Sequence, residues 1–340
     1  MNSYDILITA VGGDLGQAIV KSLCLSKKNI TCHGTDADPK STGRVFVKTF
    51  HVLPLSKDPD YLNCLDKLAV KLKVKAVIPG SEQEIFTLSQ QGIPPKLPSG
   101  IPIVCHDFKF LEIFGDKLSC MKALSGVVNL VPFADGFSKK DIDNLIEKSG
   151  FPLVVKERRS CGSKGVVIVK SKQELNIALE QFSSPFIQAF IDDKDGEFTI
   201  GVFSDSVNNY FISFKRSLGK VGCSWRAELC NDKDVLSYAE NITKHLKING
   251  SINIQVRKNS CDVRLLEINP RFSSLAAARA ACGFNDVEWS LDYIWGQAIA
   301  KPKIVSKMNF FRYFSELIDF GDGLSRVEKW DPACNFFKEK

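Results

Sequence analysis

The chain changes rhythm once, and that change limits the folds open to it. Up to about residue 105, "YDILIT", "ITCHGTD", "VFVKTFHVLPL", "KAVIPG" and "IPIVC" read as strands, and residues 13–25, 60–73 and 82–91 carry apolar residues at helical spacing. Such alternation calls for a parallel sheet with helices on its faces. From residue 151 onward, "FPLVVKERRSCGSKGVVIVK", "PFIQAFIDDKDGEFTIGVFSD", "NNYFISFKRS" and "SINIQVRKNSCDVRLLEINPRFSS" follow one another without crossover helices. This half is therefore an antiparallel α+β body, with strands paired by short turns. Residues 92–102, "GIPPKLPSGIP", form a loop near the end of the first domain.

Composition removes several function classes. A chain of 340 residues, 44% hydrophobic and 25% charged, buries a large core in two or three lobes. The net charge of +6 is spread along the chain, so a nucleic-acid groove is not indicated. No apolar run approaches the ~18 residues of a membrane helix, and "MNSYDILITAV" lacks the layout of a signal peptide; a cytoplasmic protein without a membrane partner is expected. Eleven cysteines without a C-x-x-C read as reduced, small hydrophobes. Four histidines, none at metal-ligand spacing, speak against zinc and against a histidine-centred triad.

"ILITAVGGDLGQAIVKSL", residues 6–23, has the strand, glycine turn and helix of a dinucleotide loop. Gly12, Gly13 and Gly16 are in place, but Val11 stands where the fingerprint needs a glycine. Asp36 falls about twenty residues downstream, where a ribose-binding acid belongs, so an NAD(P)-dependent oxidoreductase stands as the alternative reading. If the turn is structural instead, Gly13→Ala is expected to strain it and lower stability.

The ordered set Lys117, Lys156 with the loop after it, "FIQAFI", Glu197, Gln255 and "LEINPR" resembles the ATP-grasp superfamily. Within it, the chain is similar to the biotin-carboxylase-like and carbamoyl-phosphate-synthetase large-subunit branch. The likeness covers nearly the whole chain, and "GSINIQVR…LLEINPRFS" is its most specific part, because several polar residues must stand at fixed places on two consecutive strands. It implies an α/β architecture: a Rossmann-like, pre-ATP-grasp parallel sheet over residues 1–105, then a two-lobed α+β ATP-grasp domain over 106–300. The small lobe spans about 116–185 and the large lobe about 186–300, with a C-terminal extension over 301–340. The same resemblance makes "VGGDLG" a relic or a substrate-side loop.

Chemistry explains the recurring residue types. Glu267 and Asn269 lie two apart on one strand and so face the same side, within reach of Gln255 on the preceding strand. These hard oxygen donors suit Mg²⁺ shared with the β- and γ-phosphates of ATP; the resemblance implies two ions, with Mn²⁺ able to substitute. Lys156, beside the loop of Gly162, Ser163 and Gly165, and Lys117 match the family's phosphate contacts. Gln188, Ala189, Phe190 and Ile191 match the hinge whose backbone pairs with adenine, and Glu197 matches the acid that receives the ribose hydroxyls. Arg271 and Arg216 would hold a carboxylate or acyl phosphate through two parallel hydrogen bonds.

Together these features imply an ADP-forming ATP-dependent ligase that activates a carboxylate for attack by an amine or similar nucleophile. Its partners are then a small-molecule carboxylate and amine; the sequence leaves the oligomeric state open, a homodimer included. Besides the oxidoreductase, two alternatives stand: a nucleotide-binding protein without turnover, and a carboxylase-like protein using bicarbonate. One ATP-grasp unit is too short for the duplicated synthetase subunit.

Overall fold

The computed structural model describes residues 3–159, 165–192, 194–219, 222–260, 262–319 and 324–326. Strands β1 (Tyr4–Ile8), β2 (Ile30–Asp36), β3 (Thr49–Val52) and β4 (Ala76–Ile78) form a parallel sheet in the order β3-β2-β1-β4. Its central strand is apolar on both faces, as a sheet covered on both sides requires. Ile6 and Ile8 pack on helix α1 (Asp14–Cys24), while Leu7 packs on α2 (Tyr61–Lys71) and on Leu88 of α3 (Glu82–Ser89). The strand expected over 45–55 shrinks to β3, because Thr42–Phe46 winds into a 3₁₀ turn. Residues 101–105 are not a strand; they touch β4 through one bridge, Val77 to Ile103.

Helices α4 (Phe108–Phe114) and α5 (Lys117–Ala123) lead from the parallel sheet into the antiparallel half. There β5 (Phe133–Asp135), β6 (Leu153–Glu157), β7 (Val167–Val169) and β8 (Pro185–Ala189) form a small sheet in the order β5-β8-β6-β7. The second antiparallel sheet holds β9 (Glu197–Asp205), β10 (Asn209–Leu218), β11 (Ser224–Leu229), β12 (Asn249–Asn259), β13 (Asp262–Asn269) and β14 (Asn309–Phe311), ordered β13-β12-β9-β10-β11-β14. The two strands of "PFIQAFIDDKDGEFTIGVFSD" thus belong to different sheets, and the acidic stretch between them links one sheet to the other.

Two helical layers lock the large sheet. Helix α8 (Lys233–His245) buries Val235, Ala239 and Ile242 against Ile200, Val202, Ile252 and Ile254. On the other side, Ala276 of α9 (Ala276–Ala281) and Val287 and Leu291 of α10 (Asp286–Ile294) join the core around α1, tying the large sheet to the parallel one. Arg279 of α9 is fully buried, paired with Asp286 at 3.0 Å and donating to Asn253 at 2.5 Å. Gly201 makes room for it: a Cβ there would lie 2.6 Å from the guanidinium carbon. Among the described residues no helix is long and apolar enough to cross a membrane.

The first turn corrects the expectation for Gly13. That residue has φ −75°, and a Cβ on it would stand 3.5 Å from Ala10 O, an ordinary contact. At Gly16 a Cβ would lie only 2.3 Å from the same oxygen. Gly16→Ala should therefore lower the unfolding free energy by about 2–4 kcal/mol, and Gly13→Ala by less than about 1 kcal/mol, in urea denaturation. Equal effects of the two substitutions would contradict this packing.

Candidate active site

The site starts from strand register. Gln255 stands opposite Glu267 and Asn253 opposite Asn269, so alternation brings all four to one face of the large sheet, beside Thr199 of β9. The Asn269 amide donates to Glu267 Oε1 at 3.0 Å. Lys117 Nζ lies 3.8 Å from Glu267 Oε2. Lys117 opens α5, and its placement has its own support: Arg158 Nε donates to both oxygens of the N-cap residue Asp116, at 3.2 and 3.0 Å, and Lys117 N donates to Arg158 O.

Lys156 comes from β6 of the small sheet and is buried, its ammonium 5.6 Å from the Phe186 ring centroid. Burial pushes this ammonium down to about 8; Lys117 and Arg257 act the same way, and Glu267 and Glu197 oppose them. Burial alone would raise Glu267. Lys117, Lys156, the Asn269 amide and Arg216 outweigh it and hold the carboxyl down to about 2. The ligand-free cluster is thus an ionised carboxylate set among lysines.

Glu197 is clamped on both oxygens. Arg216 donates to Oε1 at 2.7 and 3.0 Å, and Arg257 donates to Oε2 at 3.1 and 3.2 Å. Arg216 also donates to Gln255 Oε1 at 2.7 Å, and Arg257 to Ile191 O at 2.6 Å. The residue expected to receive ribose thus already receives two guanidinium groups, and Arg216 stands at this end of the row, apart from Arg271. In the hinge, Ala189 N and Phe190 N donate to Pro132 O and Pro152 O, whereas Ile191 N makes no hydrogen bond among the described residues. Gln188 is 3% exposed, and its Nε2 has no hydrogen-bond partner there. Gly165 sits at φ +69°, a conformation that suits glycine. Gly162 and Ser163 lie outside the described residues.

Arg271 faces the parallel sheet, where Glu82 Oε1 accepts from its Nε at 2.8 Å and from its Nη2 at 2.5 Å. A cavity of about 780 Å³ opens here, lined by Lys117, Glu267, Asn269 and Arg271 on one side and by loops at the carboxyl ends of the parallel strands on the other. The sequence reading missed Glu82. Ser81 before it is a helix N-cap signal, but nothing local points to an arginine 189 residues away. The glycine turn on this side is closed by its own acid: Gly12 N donates to Asp36 Oδ2 at 2.8 Å, and Ser41 Oγ to the same oxygen at 3.2 Å. Asp36 is thus tied to the turn instead of standing ready for a ribose, which removes the geometry that favoured a dinucleotide.

Comparison with known proteins agrees with this layout. Residues 192–314 match the family described as ATP-grasp in the biosynthetic pathway with Ter operon. The carbamoyl phosphate synthase large chain of Thermotoga petrophila is 25% identical over 190 residues, covering 51% of this chain and only 17% of the synthase chain. The formate-dependent phosphoribosylglycinamide formyltransferase of Prochlorococcus marinus is 25% identical over 229 residues, 62% of this chain and 58% of that one. Biotin carboxylase from Campylobacter jejuni, solved as a β-γ-ATP complex, superposes with a TM-score of 0.72 at 14% identity, covering 90% of this chain and 74% of that one. The ADP complex of N5-carboxyaminoimidazole synthetase from Staphylococcus aureus gives 0.69 at 17% identity, covering 90% and 81%. Residues 192–314 thus match an ATP-grasp family, about half of the chain is similar in sequence to the carbamoyl phosphate synthase large chain, and the fold is like that of biotin carboxylase and N5-carboxyaminoimidazole synthetase.

Proposed function

We propose that the chain is an ADP-forming ligase that uses ATP to activate a carboxylate as an acyl phosphate, which an amine or similar nucleophile then attacks. One observation carries the reading. Lys117, Lys156, Gln255, Glu267 and Asn269, drawn from one helix and two separate sheets, meet in one charge cluster, and Lys117, Glu267 and Asn269 of that cluster open on the cavity.

The donor set fits magnesium. Glu267 stays ionised far below neutral pH, and the amide oxygens of Gln255 and Asn269 already accept from guanidinium groups at 2.7 and 3.2 Å, so they stand toward positive charge. Glu267, Asn269 and Gln255 would hold Mg²⁺, two ions with Mn²⁺ able to replace them, and the metal would supply charge neutralisation at the phosphates. Lys156 and Lys117 bind the phosphate oxygens. Ile191 N is the hinge donor left for the base, while Glu197 fixes Arg216 and Arg257 and shares its oxygens with the ribose. Arg271, aimed by Glu82, holds the acid to be activated.

In the first step a carboxylate oxygen attacks the γ-phosphorus and ADP leaves. In the second, the amine nitrogen attacks the acyl carbon, phosphate leaves and the amine loses a proton. No protein nucleophile is needed, since positioning and charge complementarity lower both barriers. On this reading residues 1–105 supply the acceptor wall, 106–300 the ATP-grasp lobes and 301–340 an extension. A homodimer and a cytoplasmic location fit the same reading.

Two substitutions test it. Glu267→Gln keeps the shape and removes one charge, so ADP release should fall on the order of 100-fold and recover only in part as Mg²⁺ is raised. A folded variant, checked by circular dichroism, that turns over within a few-fold of wild type would remove the metal assignment. Lys156→Met should weaken Mg·ATP binding at least about tenfold while stabilising the ligand-free protein. The sign follows from the depressed ammonium. Between pH about 8 and the usual 10.5 the unfolded chain binds more protons, so wild-type stability rises with pH across that window. The methionine variant should lack this rise; parallel melting curves against pH would contradict the buried ammonium.

A further inference from the structure

We infer that the acid activated here is unphosphorylated and carries an apolar body of about aromatic-ring size. This deepens the ligase reading and rests on it. The cavity of about 780 Å³ falls in the range of small-molecule sites, and its two sides differ in chemistry.

The ATP side presents cations, Arg271 and Lys117, beside Glu267 and Asn269. One anionic group, the carboxylate to be activated, belongs there. The opposite side presents Asp36, Glu82 and Glu84, all three already engaged. Asp36 closes the glycine turn, and Glu82 holds Arg271. Glu84 accepts from Thr9, Ser81 and Tyr61 at 2.7, 2.9 and 2.9 Å. A phosphate on the far end of the substrate would meet these carboxyl groups, and the glycine turn is already filled by Asp36. Of the other cations in the described lining, Arg159 is paired with Asp116 at 3.6 Å and donates to Glu112 O at 3.1 Å, and Lys57 stands on the rim.

Between the two sides the walls are apolar. Leu53 and Leu55 follow β3, Ile85 and Phe86 sit on α3, and Leu111 and Phe114 on α4. Phe86 is fixed before any ligand arrives: its ring meets Phe108 edge-on at 5.2 Å, and the Arg159 guanidinium lies 5.2 Å from its centroid. A preset aromatic wall recognises a flat or branched apolar group at small entropic cost. Leu55 is 56% exposed and, with Val52 at 53%, continues the apolar surface out of the cavity along a shallow groove. A leucine and a valine side chain left in water beside the cavity gain by being covered.

The test traps the acyl phosphate, so the natural amine need not be known. Wild-type protein is incubated with Mg·ATP, hydroxylamine and one acid at a time: phenylalanine, leucine and 3-phenylpropanoate against aspartate, O-phosphoserine and 3-phosphoglycerate. Hydroxamate and ADP should form together, with kcat/KM for the best apolar acid at least about tenfold above every acid of the second group. Leu55→Glu, on an exposed side chain, should lower that value roughly tenfold through KM for the acid while leaving KM for ATP in place. Preference for O-phosphoserine or 3-phosphoglycerate, or indifference to Leu55→Glu, overturns the inference while the ligase reading stands. No hydroxamate from any of the acids, with ATP still hydrolysed to ADP, overturns the ligase reading itself and the inference with it.

Discussion

The site depends on one carboxylate kept charged between two lysines. Glu267 meets Lys117 at 3.8 Å and feels Lys156 from another sheet, and these lysines, with the Asn269 amide and Arg216, hold its carboxyl down to about 2 against the effect of burial. The dependence is mutual, because two partly desolvated ammonium groups repel each other and need a nearby anion. On the proposed reading, the oxygens of a triphosphate would take over the lysines and leave the carboxylate to face a cation. A site that is neutralised internally before binding can exchange partners without reorganising its backbone, which is the economy on which electrostatic preorganisation rests.

The sheet makes this possible by register. On β12 and β13 the pairs Gln255 with Glu267 and Asn253 with Asn269 fall on one face, and the bulge after Gln255 shifts the pairing beyond it. Farther along the same face, Asn253 is held by Thr199 and by the buried Arg279, which is itself paired with Asp286 of α10. The helices that lean on the parallel sheet therefore brace the far end of the row formed by Gln255, Glu267 and Asn269. A buried pair of this kind is costly to break by removing one partner, because a bare charge is left inside. The buried Arg279 pair and the Glu267 cluster are two ends of one polar stripe.

What the sequence made legible is what strand alternation and short loops dictate. Glu267 and Asn269 two residues apart had to share a face, and a tight hairpin had to place Gln255 nearby; both hold in the structure. The change from strand-helix alternation to consecutive strands likewise separated the parallel from the antiparallel sheets. Contacts between elements were not legible. Glu197 reads as a lone acid after a turn, yet Arg216 and Arg257 reach it from the two strands that flank β9. Glu82 and Arg271 meet only because α3 and the end of β13 line the same crevice. Periodicity tells which way a side chain points, and not which distant strand or helix it will face. The glycine turn shows the same limit from the other side. Its spacing suggested a phosphate loop, but Asp36 folds back onto Gly12, and the glycine the backbone most needs is Gly16, pressed on Ala10.

The central claim is that a carboxylate oxygen attacks the γ-phosphate held over this cluster. It is tested most directly by isotope transfer. The acid that best stimulates ADP release is labelled with ¹⁸O in both carboxylate oxygens and incubated with Mg·ATP and an amine, and the released phosphate is read by ³¹P NMR. Attack through an acyl phosphate predicts one ¹⁸O per phosphate, carried over when the amine displaces it. Released phosphate free of label, with ADP formed at the same rate, would mean that water and not the carboxylate is the acceptor, and would contradict the account.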